Sequence, residues 1–227
     1  MDAASTPPYA SPMEDSPAAR GAAVWVVIGS GLAALILGSG AIALVREQLH
    51  IACSMGAPGS EGADVWTCSD GVGYLSVAVT LGGMWFLTVL LGTFAAGVVR
   101  RDATARTVLV LLAGLSTAWV LGFTWYGSSE LVLDEYAPMS GQEYWQAAVG
   151  RAAIACGAGM AAAIGGLFLR GRLIRVANVA AALGVVVATA LQPGLSINTI
   201  PAAGLLVAAA VRATIRPAQP DAIASAI

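Results

Sequence analysis

The chain has 227 residues, 58% hydrophobic and 11% charged, with a formal net charge of −2. Soluble domains carry about 25% charged residues, so this composition excludes an ordinary water-soluble protein. The weak negative charge supplies no basic field for nucleic acid. All eleven basic residues are arginine, and with the richness in Ala and Gly this fits a GC-rich bacterial genome.

Residues 1–20 set Pro7, Pro8, Pro12 and Pro17 among Ala, Ser, Asp and Glu, and read as a disordered tail with no apolar surface to bury. An apolar run over 22–45 is long enough to cross a hydrocarbon core of about 30 Å. Ala41-Ile42-Ala43 has the form of a signal-peptide cleavage site. Signal h-regions run only about 7–15 residues, however, so the run is read as a retained first span. A polar, Gly-rich segment over 46–71 separates it from a second span, 72–99, whose length predicts tilt or an interfacial turn at its start. Further spans are predicted over 107–126, 147–169, 174–191 and 197–211. The last is short enough that a re-entrant segment is the alternative. The reading is an all-α polytopic integral membrane protein of about six transmembrane helices in one bundle, 21–211, with a tail over 212–227.

The arginines orient it. Arg100, Arg101 and Arg106 crowd one hairpin and Arg170, Arg172 and Arg175 another. With six spans and the N-terminus in the cytoplasm, these six fall inside together with Arg20, Arg212 and Arg216. Only Arg46 and Arg151 fall outside. The positive-inside rule therefore places both termini in the cytoplasm of a bacterial plasma membrane, and five spans would put Arg212 and Arg216 on the wrong side.

Glycines and alanines recur on the spans: Gly29, Gly31, Gly38 and Gly40 in the first, Gly157, Ala161 and Gly165 in the fourth, Ala177, Ala181 and Gly184 in the fifth. Such faces allow close helix packing within one chain, and the alternative is a homo- or hetero-oligomer interface. The lipid bilayer is the one partner the composition itself implies.

Four constellations bear on chemistry. Val24–Ala34 holds an apolar stretch followed by G-x-G-x-x-A, which resembles the dinucleotide fingerprint of flavin and nicotinamide enzymes. That motif needs a strand–turn–helix unit, and no strand pattern follows here, so no cofactor is expected. Cys53 and Cys68 share the first outer loop, where a structural disulfide is expected. A loop cysteine pair ahead of a second span also resembles the vitamin K epoxide reductase family. That family requires a C-x-x-C near the outer end of a later helix, and this chain offers only the solitary Cys156, read as a packing residue.

Eight acids lie in the two outer loops (Glu47, Glu61, Asp64, Asp70, Glu130, Asp134, Glu135 and Glu143) and read as a solvated surface. His50 is the sole histidine, so no metal site is expected from His and Cys spacing. It also lies in a loop, which leaves an intramembrane serine protease without its base. Polar groups inside spans usually mark function, and Arg151 and Asn178 are the candidates, with Thr189 and Gln192 beside them. Arg151 is expected to reach the interface near Glu143 and Tyr144. No catalytic set emerges. The expectation is a non-enzymatic assembly or accessory membrane protein. The alternatives are a small-solute or ion transporter or channel, and a thiol–disulfide oxidoreductase using Cys53 and Cys68.

Overall fold

Pro17 opens the first helix, α1 (Pro17–Leu37), where its fixed φ suits the first turn and its missing N–H is not needed. The computed structural model describes residues 17–129 and 133–213, and Glu130 and both chain ends lie outside that range. Residues 17–20, expected in a disordered tail, are thus helical. The run expected to continue to Val45 instead stops at Leu37, because Gly38-Ser39-Gly40 breaks it. The chain resumes as a one-turn helix, α2 (Gly40–Ala43), and a π-helical turn, Leu44–Gln48. Strands β1 (Cys53–Met55) and β2 (Trp66–Cys68) pair antiparallel, and a 3-10 turn at Gly71–Tyr74 leads into α3 (Leu75–Val98).

The remaining helices are α4 (Asp102–Gly127), α5 (Gly141–Leu167), α6 (Arg172–Leu191) and α7 (Ser196–Arg212), the last entered through a 3-10 turn at Pro193–Leu195. Among the described residues six segments are long and apolar enough to cross a membrane, and the molecule is an all-α polytopic bundle. Two helices start earlier than their apolar runs. Asp102 lies in the first turn of α4, where a carboxylate complements the helix dipole. Ser140 and Glu143 form a capping box that starts α5 at Gly141. Arg106 is therefore a helical rather than a loop residue, and so are Arg172 and Arg175, because α6 opens at Arg172.

The centre of the bundle is α7. It packs against α1, α3, α4 and α6, while α5 stands to one side, mainly against α6. Ala202, Leu205, Leu206, Ala208 and Ala209 are fully buried, as befits a helix that is small and apolar all round. The segment Pro193–Arg212 is 20 residues long, which at 1.5 Å per residue is about 30 Å and suffices to span.

The α5–α6 contact is made by backbone. A Cβ on Gly159 would lie 2.9 Å from the Ala181 carbonyl oxygen, and one on Gly184 would lie 3.0 Å from Gly159 Cα. The glycines thus let the helices meet at main-chain distance. Gly157 and Gly165, on the opposite side of α5, have open space where a side chain would begin.

Candidate functional site

The bundle has two unlike ends. One carries Arg100, Arg101, Arg170 and Arg172 at its helix junctions, and the other is closed by the segment from Leu44 to Tyr74. In that segment β1 and β2 place Cys53 directly opposite Cys68, and the two sulfurs are bonded. His50 and Ala52 adopt positive φ, 50° and 61°, which turns the chain sharply ahead of β1. The turn lays the His50 ring flat on Trp66 of β2, with centroids 4.2 Å apart, and Tyr144 from the start of α5 meets His50 edge-on. The hairpin is thereby fixed to α5 as well as to itself. Burial lowers the His50 pKa from its ordinary value, partly offset by a hydrogen bond to the Arg46 carbonyl.

Tyr74 Oη lies 3.6 Å from Cys53 Sγ. Cys156 is the free cysteine and is buried on the α5 face turned toward α6. It lies three turns along α5 from Tyr144, about 18 Å at helical rise, and so is out of reach for exchange with the disulfide. Replacing Cys53 and Cys68 together by Ser is expected to cost about 3 kcal/mol, the chain-entropy value for a loop of about fifteen residues. The same change should free Trp66 from His50. Thermal unfolding with Trp fluorescence checks this, and a variant melting with the parent would contradict it.

Beneath this cap, polar side chains join helices. Gln192, almost fully buried at the start of the turn into α7, donates from Nε2 to Gln48 Oε1 at 2.8 Å and to the Ala148 carbonyl at 2.8 Å. Its Oε1 accepts from the Gly194 N–H at 3.2 Å. Thr189 on α6 and Thr199 on α7 bond through their hydroxyls at 2.7 Å. The Ser196 hydroxyl donates to the Leu37 carbonyl at 2.9 Å, satisfying an acceptor left open where α1 ends. Thr189 and Gln192 therefore hold helices together.

Arg151 and Asn178 are not brought together. Arg151 is exposed on α5, in the half nearer the disulfide, while Asn178 is buried near the arginine end of α6. Asn178 donates to the Ile174 carbonyl of its own helix at 3.0 Å. The neighbours expected to receive Arg151 are engaged elsewhere: Glu143 caps α5 at Ser140, and Tyr144 packs on His50. Asp134 accepts from the Tyr136 N–H in a turn. Gly29, Ser30 and Gly31 lie inside α1 rather than in a strand–helix turn, and Gly31 fits closely against Val89, where it serves helix packing. Among the described residues, no three His, Cys, Asp or Glu side chains gather as a metal-binding group.

Sequence alone assigns Arg212 only a side of the membrane, yet among the described residues it is the largest fully buried side chain. From the last turn of α7 its guanidinium donates to the Ala96 carbonyl at 3.1 Å, the Val99 carbonyl at 2.7 Å and the Arg100 carbonyl at 3.4 Å. These are acceptors that the end of α3 leaves unfilled. Arg212 Nε also lies 2.8 Å from Asp102 Oδ1 at the head of α4, in an ion pair whose N–H points off the line to the carboxylate. Three helix ends thus meet on one side chain. The available signals were Asp102, an acid inside a basic hairpin, and an Arg closing an otherwise apolar helix. The chain matches no protein-family model, no curated protein and no solved structure.

Proposed function

We propose that this chain is a non-enzymatic assembly or accessory protein of the bacterial cytoplasmic membrane, with both termini in the cytoplasm. The observation that carries this reading is the outward face of α5. Arg151, Ile154, Gly157, Ala161 and Gly165 follow one another along it at helical spacing, all exposed, and Gly157 and Gly165 touch nothing in the fold. Gly159, Gly166 and Gly184 serve the bundle's own packing, whereas these two keep the outward surface of α5 low enough for another helix to approach closely. The arginine distribution supports the orientation, and a disulfide at the opposite end suits an oxidising exterior.

Transport is the second reading, favoured by the polar groups around Gln48, Gln192, Thr189 and Thr199. Against it, α7 fills the axis on which a path would run. A thiol–disulfide exchange role has the Cys53–Cys68 bond in its favour but no second reachable cysteine among the described residues.

Purified in mild detergent or lipid nanodiscs, the protein is expected to run as a stable complex or oligomer by native mass measurement. Gly157→Leu and Ala161→Leu should dissolve that assembly while leaving the melting temperature of the chain unchanged. A solitary monomer under every mild condition overturns the proposal.

A further inference from the structure

Two polar side chains deep in the bundle behave unlike their equivalents. Thr107, Thr117, Thr124, Thr189 and Thr199 each turn the hydroxyl back to the carbonyl four residues earlier, the usual way a helical threonine satisfies itself. Thr88 on α3, 1% exposed, makes no such bond, and its Oγ1 meets no partner in the chain. Asn178 donates from Nδ2 to its own helix and leaves only Oδ1 unpartnered, whereas Asn198 on α7, 0% exposed, leaves both Oδ1 and Nδ2 unpartnered.

These two exceptions belong to one place. Gly92 abuts Leu205, and Arg212 reaches Ala96 and Val99, so α3 and α7 run side by side in step. Thr88 stands one turn before Gly92 on that face, and Asn198 stands two turns before Leu205 on the matching face of α7. The register therefore sets them within about one turn of each other along the shared contact. The third wall is α4, where the Ser116 hydroxyl donates to the Asn198 carbonyl at 3.1 Å. Pro201 adds a further acceptor, since it lacks the N–H that would close on the Ile197 carbonyl.

The donor and acceptor inventory selects the guest. A carboxamide presents two donors and an acceptor, and a hydroxyl presents both functions. A cation would satisfy Oδ1 and oppose Nδ2, and an anion would do the reverse. Water satisfies both atoms together and is the usual partner of buried polar groups that the chain leaves unpaired. We infer that the junction of α3, α4 and α7 is a binding site for ordered water, held by the Asn198 carboxamide and the Thr88 hydroxyl. Ser196, Thr199, Thr189, Gln192 and Gln48 are the polar side chains on its disulfide side. The opposite direction is closed by Ala202, Leu205, Leu206 and Ala209, and then by Arg212.

Asn178 and Asn198 are the two asparagines of the sequence, so labelling the full chain in nanodiscs with 15N-asparagine and 15N-leucine gives two side-chain amide signals, assigned with Asn198→Leu, beside the leucine backbone amides. Water-edited solid-state NMR is expected to show polarisation reaching the Asn198 amide at least severalfold faster than the backbone amides of Leu205 and Leu206. Thr88→Val, isosteric and apolar, should slow that transfer at least twofold. Transfer to Asn198 as slow as to those leucines means a dry site and overturns the inference. An Asn198 signal that shifts when sodium chloride replaces choline chloride at equal ionic strength means a cation site and overturns it. Unchanged transfer in Thr88→Val removes Thr88 from the site and overturns the assignment.

Discussion

Arg212→Met is expected to destabilise the protein by about 3 kcal/mol, read as a lower melting temperature in detergent or a lower midpoint in graded SDS unfolding. Removing the guanidinium strips the Ala96 and Val99 carbonyls of their donors, and a buried polar group left unsatisfied costs about 1–3 kcal/mol. The estimate stays at the lower end because Asp102, with its side chain 43% exposed, can be solvated once its partner is gone. Arg212→Lys is expected to recover little of the loss. An ammonium on a flexible stem cannot serve the three carbonyls and the carboxylate at once, as a planar guanidinium does. If the lysine variant melts with the parent, the charge alone matters and the fork geometry does not.

Gly159→Val is expected to cost about 2–3 kcal/mol, at the upper part of the range for overpacking a tight contact. The obstacle is main chain: the Ala181 carbonyl oxygen lies 2.9 Å from where the new Cβ must go, and it cannot rotate away. The matched control is Gly157→Val, two residues away in the same helix but facing open space, which should leave the melting temperature of the monomeric chain within about 0.5 kcal/mol of the parent. Parallel unfolding curves measure the contrast. Equal losses in the two variants would show that residue type, and not the α5–α6 contact, sets the effect.

The bundle was legible because a bilayer demands long apolar runs, and those runs survive any detail of packing. The helix ends were less so, and the missed signals were local. Gly38-Ser39-Gly40 breaks a run that composition alone reads as continuous, and Ser140 with Glu143 starts α5 before the apolar stretch begins. The disulfide could be anticipated from two cysteines in one outer loop, and the bond is present. The place of the last described helix could not. Hydropathy grades a segment by its affinity for lipid, and a helix that meets other helices on every side needs small residues rather than strong apolarity. Segment 197–211 therefore resembled a short or re-entrant span while α7 occupies the core. Arg151 and Asn178 were chosen because polar groups are rare in spans, but that rarity does not report direction. Arg151 faces outward, and the amide left unpaired at both its atoms proved to be Asn198.

The position of α7 has a consequence for biogenesis. A ribosome delivers α1, α3, α4 and α6 to the membrane before the helix that all four enclose. Until it arrives, those four can hold only a loose ring whose inner surfaces face lipid or one another. Commitment to the final packing therefore waits on the closing stretch of synthesis. A chain stalled before residue 196 should be recognised by membrane quality control as an orphan, although five of its six crossings are already in place.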